Sequence, residues 1–180
     1  PEAHAVVSPY LKTAALLGKL VGQLSDGQIV SLEVDYQGDI AQYDVSLLKS
    51  AVLTGLLAPV SEERVNLVNA TVIAQHRGLR ITERKGGTPE QYGSLITVML
   101  ATSVGRTTVT GTLMRGETHI VRVNDYWMDI VPSTPYLLFI ENQDQPGMIG
   151  AVGTITGKYD VNISFMEVGR LAPRGRAMMV

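Results

Sequence analysis

The sequence predicts an α+β fold in two units: helices packed on an antiparallel sheet, then an incomplete ferredoxin-like β-α-β-β-(α-β) arrangement. Three observations predict it. Up to Gly78 apolar residues recur at helical spacings, interrupted by one alternating stretch. From Leu79 to Val131 short apolar or β-branched runs are separated by turn residues at hairpin spacing. Beyond Pro135 the pattern reads strand, helix, strand, strand.

Taken in order, Ser8 can cap a helix with Pro9 at its first position. Tyr10, Ala14, Leu17, Val21 and Leu24 form one face of it, and Gly27 is its expected stop. Residues 30–36 alternate apolar and polar, which predicts a strand with one buried face. Asp44 opens a second helix through Leu47, Leu48, Ala51, Val52 and Leu56, stopped at Pro59. Ser61, Glu62 and Glu63 are expected to start a third, because a capping hydroxyl and two acids suit the positive end of a helix dipole. Val65, Val68 and Val72 are its expected buried face, and Gly78 its end.

Strands are predicted over 79–83, 95–101, 107–114, 119–123 and 127–131. Gly86-Gly87-Thr88-Pro89, Val104-Gly105, Arg115-Gly116 and Asn124-Asp125 are the turns between them, so the strands are expected to run antiparallel in sequence. Residues 132–135 make a short stiff linker. In the second unit a strand over 136–141 leads through a turn to a helix carrying Met148, Ile149, Val152, Ile155 and Tyr159. Strands over 161–168 and from Arg176 onward follow, so a further helix and strand would complete the unit. Pro1 in place of Met, and the apolar close Met178-Met179-Val180, create the expectation of a piece of a longer protein.

Composition narrows the function classes. The 180 residues are 45% hydrophobic and 18% charged, enough to bury a core and too apolar for a disordered chain. Fifteen Lys and Arg stand against 17 Asp and Glu, a net charge of -2. That balance argues against nucleic acid as a main partner, and against a polybasic membrane anchor. Without cysteine the chain holds no disulfide, thiolate metal site or Cys nucleophile, which fits a cytoplasmic location. No apolar run approaches the roughly 18 residues of a membrane span.

No metal is expected: His4, His76 and His119 lie in different elements, and no HExxH spacing occurs. Neither a G-x-S-x-G elbow nor a phosphate-binding Walker loop is present. Gly147, Gly150 and Gly153 follow a strand and open a helix, but their G-x-x-G-x-x-G spacing differs from the dinucleotide fingerprint. Glycines there can let the helix lie close to a sheet or another subunit. Its N-terminus can take a small carboxylate, with Asn142, Asp144 and Asn162 as ligand contacts or as turn formers only. Arg106, Arg115, His119 and Arg122 form a basic group on the hairpins of the first unit. It reads either as a solvated edge that discourages sheet aggregation or as a small anion site.

The run 136–150, with its Asp144-Gln145-Pro146-Gly147 turn, continued by Tyr159-Asp160-Val161-Asn162-Ile163, resembles the opening of an ACT domain. In particular it is similar to the serine-sensing ACT domain of the D-3-phosphoglycerate dehydrogenase family. Glu62-Glu63-Arg64-Val65-Asn66-Leu67-Val68-Asn69-Ala70 and Gly111-Thr112-Leu113 resemble the intervening, allosteric substrate-binding domain of the long form of that family. Residues 9–27 resemble the helix that follows its catalytic portion. The resemblance implies residues 1–26 as that helix, 27–131 as the intervening domain, 132–135 as linker and 136–180 as an ACT domain truncated at its C-terminus. It also implies a cytoplasmic homo-oligomer, commonly a tetramer, that oxidises 3-phosphoglycerate to 3-phosphohydroxypyruvate with NAD in the first step of L-serine biosynthesis. NAD and the catalytic residues would belong to a portion outside this chain. Serine contacts carry over onto Asn142, Asp144, Asn162 and Gly147. Asn142 departs from the His or Tyr common at its position, and keeps hydrogen-bonding ability without the ring. Substrate or phosphate would bind the basic residues of the intervening domain, where His119 falls at a position some members fill with Lys. Two other readings stay open at this point: a stand-alone amino-acid-binding module with no catalytic partner, and a portion of an iron–sulfur serine dehydratase.

Overall fold

The computed structural model describes residues 2–180, so the expectation attached to Pro1 lies outside the described residues. Helix α1 (Glu2–Val7) passes through a 3-10 turn, Ser8–Tyr10, into α2 (Leu11–Gln23). The helix was expected to begin at Ser8. Val7 is itself helical (φ -86°, ψ -40°), so Ser8 caps nothing, and Pro9, which lacks an N–H, accounts for the tighter turn. Strand β1 (Ile29–Gly38) and helix α3 (Ser46–Leu57) follow. Asp44 opens α3 as expected, accepting from the Ser46 N–H at 2.9 Å and from its hydroxyl at 2.5 Å.

The third helix differs from its prediction. Helix α4 spans Ala70–His76, not the segment starting at Ser61. Two asparagines set the start. Asn66 Oδ1 accepts from the backbone N–H of Val68 and Asn69, and Asn69 Oδ1 accepts from the Asn66 N–H. These bonds hold 66–69 as a turn, so the buried face rotates to Ala70, Ile73 and Ala74, and Val68 is 89% exposed. Gly78, at φ +70°, ends the helix as expected.

Strands β2 (Arg80–Lys85), β3 (Ser94–Thr102), β4 (Arg106–Met114), β5 (Glu117–Val123) and β6 (Tyr126–Ile130) complete a six-stranded sheet in the order β2-β1-β3-β4-β5-β6. All pairs are antiparallel except β1 with β2, which run parallel because α3 and α4 cross over between them. The uniformly antiparallel expectation therefore fails at this one edge.

The helices cover one face. Thr13 and Ser25 hydrogen-bond Thr118 and Thr107 across that interface, at 2.7 and 2.8 Å. Leu17, Leu32, Tyr36, Leu48, Ile96 and Ile120 form the core beneath. Tyr36 directs its hydroxyl to Glu83 at 3.5 Å, and burial, aided by the Glu83 charge, pushes its pKa far above the usual tyrosine value. The opposite face is polar. The register lines up Arg84, Asp35, Thr97, Thr110, Arg122 and Trp127 in one row across all six strands.

In the second unit β7 (Ile140–Gln143), α5 (Met148–Lys158), β8 (Val168–Arg170) and β9 (Arg176–Met179) form an antiparallel sheet ordered β7-β9-β8. The helix thus joins two strands with a third between them, the split arrangement expected of an incomplete ferredoxin-like unit. The outer strands are shorter than predicted. The central β9 has only four residues, Val180 just beyond it pairs with Glu167, and 136–139 and 161–166 run on unpaired. Leu137 and Phe139 pack instead on the main core. Tyr136, Leu138, Val161 and Phe165 border a cavity of about 660 Å³ that Val152 of α5 also lines.

Candidate functional site

The basic group divides into parts. Arg106 begins β4 and Arg115 follows its last residue, so these two sit at opposite ends of a strand about 30 Å long. His119 and Arg122 come together on the polar face. Three residues apart in a regular strand, they would point to opposite faces. A bulge between Ile120 and Arg122 corrects the phase, and His119 faces Thr112 while Arg122 faces Thr110. Thr110 and Thr112 are two residues apart, so the pair is separated by about 7 Å along the strand.

Both side chains are held. Arg122 donates from Nε to the Asn124 carbonyl at 2.6 Å, and its guanidinium carbon lies 5.4 Å from the Trp127 ring centre. His119 Nδ1 lies 2.5 Å from Asp129 Oδ1. Tyr92 is close enough to Asp129 that partial burial, together with that charge, raises its hydroxyl pKa. The face therefore offers a guanidinium and an imidazole, with the Tyr92 hydroxyl near Asp129, chemistry suited to a small phosphate or carboxylate. Trp127 and Asp129 escaped sequence reasoning. Their alternation with Tyr126, Met128 and Ile130 signals an outward face, but not which neighbours share it.

The second candidate group is also divided within one chain. Gly147, in the left-handed region at φ +92°, precedes α5, with Asn142 and Asp144 on the strand and turn leading to it. Asn162 lies past the other end of that 11-residue helix, about 16 Å away along its axis, at the rim of the apolar cavity. Asp144 Oδ2 accepts from the Arg174 N–H and from Arg170 Nη1, both at 3.2 Å, and these bonds hold its carboxyl below the usual range. It thereby ties the β8–β9 turn to the start of α5. Asn142 donates to the Gln143 carbonyl at 2.9 Å, while its Oδ1 is buried with no partner among the described residues. These glycines do not bring the helix close to the sheet: a Cβ at Gly147, Gly150 or Gly153 would have no described atom of this chain within 4 Å.

The helix opened by Gly147 does not fit NAD. It belongs to a small antiparallel sheet, without the crevice of a doubly wound parallel one. Among the described residues no group of three His, Asp or Glu side chains is placed to hold a metal ion, and no helix is long and apolar enough to cross a membrane.

Against known proteins, residues 6–124 match the family model described as the D-3-phosphoglycerate dehydrogenase intervening domain. The chain is similar to the D-3-phosphoglycerate dehydrogenase of Synechocystis sp., with 40% identity over 181 residues covering 99% of this chain and 32% of that protein. It is 35% identical to the protein of that name from Bacillus subtilis, covering 99% of this chain and 34% of the relative. For the Methanocaldococcus jannaschii protein of that name the identity is 33%, with the same shares. The chain thus spans about a third of the length of these relatives.

Proposed function

Because this chain belongs to the family of D-3-phosphoglycerate dehydrogenase intervening domains, we propose that it is the regulatory part of such an enzyme. The whole protein would oxidise 3-phosphoglycerate to 3-phosphohydroxypyruvate with NAD, in the first step of L-serine biosynthesis, as a cytoplasmic homo-oligomer. Residues 136–180 would act as its ACT domain. The family match over residues 6–124 carries this reading. NAD would be held by a portion of the protein outside this chain.

Two features support a regulatory role for the chain itself. His119 and Arg122 on the polar sheet face suit an anion such as phosphate or the phosphorylated substrate. The unpaired Asn142 Oδ1 suits a donor such as the ammonium or hydroxyl of L-serine, next to Asp144 and Gly147. Asn162 would join them only from a second copy, since the helix separates them in one chain. A ligand at either place changes the rate only through different affinities for active and inactive arrangements.

The test is to purify the full-length protein and follow NADH formation from 3-phosphoglycerate with and without L-serine. NADH formation that serine suppresses is the expected result. A protein that forms no NADH fails the reading, and one that serine leaves untouched fails its feedback part.

A further inference from the structure

We propose that Asp129 couples an anion on the His119–Arg122 face to the docking of the 136–180 unit on the large sheet. The proposal rests on the anion reading of that face given above. Strand β6 is the shared element. On its outer side, Asp129 Oδ1 lies 2.5 Å from His119 Nδ1. Through its backbone N–H the same residue donates to Glu167 Oε1 at 2.9 Å. Glu167 is itself tied into the small sheet. Its N–H and carbonyl exchange hydrogen bonds with Val180 at 3.0 and 2.9 Å. Two residues on, Gly169 is pressed against the same strand. A Cβ there would lie 3.0 Å from the Met128 methyl and 3.2 Å from the Trp127 carbonyl oxygen. Trp127, Met128 and Asp129 therefore form the seat on which residues 167–169 rest, and Asp129 alone among them also holds the anion-face histidine.

An anion that takes the Nδ1 hydrogen of His119 displaces the Asp129 carboxylate that faces it. The carboxylate then loses its hydrogen-bond partner, and it belongs to the residue whose N–H holds the Glu167 carboxylate. The Asp129 and Glu167 carboxylates are like charges on contacting residues and repel, and the bound anion adds to them. The anion thus loosens β8 from β6. Coupling is reciprocal, so loosening Glu167 raises affinity for the anion by the same factor.

Inorganic phosphate is the probe. It is titrated calorimetrically into the intact chain, and amide hydrogen exchange at residues 167–170 is followed with and without it. Saturating phosphate is expected to speed exchange at these amides at least about fivefold, the lower end of ordinary coupling energies. Glu167→Ala is expected to bind phosphate about fivefold more tightly than the parent. Asp129→Asn keeps the N–H but not the charge. It should bind phosphate more tightly while losing the exchange response, with circular dichroism confirming its fold. Phosphate binding that is absent, or unchanged in His119→Gln, sinks the anion reading and the coupling with it. Binding that His119→Gln weakens, with exchange at 167–170 unmoved and Glu167→Ala at parental affinity, overturns the coupling alone.

Discussion

Gly18 of α2 meets Val52 of α3 so closely that a Cβ on Gly18 would lie 2.0 Å from the Val52 carbonyl oxygen. Gly55 repeats the contact from the other helix, 1.9 Å from the Ala15 carbonyl oxygen. The two helices therefore touch backbone to backbone.

This contact predicts opposite signs for one substitution. Alanine is the better helix former by about 1 kcal/mol. At Gly18 or Gly55, though, the methyl group forces the helices apart, costing about 1–3 kcal/mol or more. Gly18→Ala and Gly55→Ala should each lower stability on balance. At Gly153 in α5 the added Cβ meets nothing within 4 Å, so Gly153→Ala should stabilise by about 0.5–1 kcal/mol. Urea unfolding of the three variants decides. Shifts of the same sign at all three positions would count against the contact.

What the residues revealed follows from where each signal resides. The Leu17 and Val21 face of α2, the alternation of β1 and the turns at Arg115-Gly116 and Asn124 are local patterns, and they appear where expected. Gly18 and Gly55 look like weak helix positions until the crossing is known. Pairing of β1 with β2 depends on the path of α3 and α4, which no periodicity encodes. His119 and Arg122 share a face only because a bulge intervenes, so their spacing of three misleads. Helical spacing continues through Val68 and predicts a core position for it, while the Asn66 and Asn69 side chains start the helix later.

That late start is open to test. If Asn66 organises the entry to α4, Asn66→Ala should cost about 1 kcal/mol, the usual worth of a capping side chain. Ser61→Ala removes only the hydroxyl that accepts from Arg77 Nη2 on an exposed site, and should change stability by less than about 0.5 kcal/mol. Thermal denaturation of the two variants gives the order. A larger loss for Ser61→Ala would restore the earlier helix start.

Arg115 is held at φ +52° and Gly116 at φ +81° in the two-residue turn between β4 and β5. Such turns favour Asn followed by Gly. Arg115→Asn should therefore raise stability by a few tenths of a kcal/mol, up to about 1 kcal/mol. Because Arg115 sits away from the His119–Arg122 pair, the same variant should bind phosphate as the parent does. Weakened phosphate binding in Arg115→Asn would place this arginine at the anion site.

Asp144 gives a pH prediction with a defined sign. The Arg174 N–H and the Arg170 guanidinium lower its carboxyl pKa in the folded chain. Its stabilisation is therefore complete above the unfolded carboxyl pKa of about 3.9, and is lost as the pH falls through the lower folded value. Asp44 is depressed in the same direction, chiefly by its bonds from Ser46, so acid weakens the parent at two places. Asp144→Asn keeps the Asp44 contribution and removes its own. The variant should be less stable than the parent at pH 7, and the gap should close toward about pH 2. Melting temperatures of both proteins across this range supply the check, with hydrogen exchange in 170–176 locating the change. A gap that stays constant from pH 7 to pH 2 would mean that the Asp144 charge does not hold the β8–β9 turn.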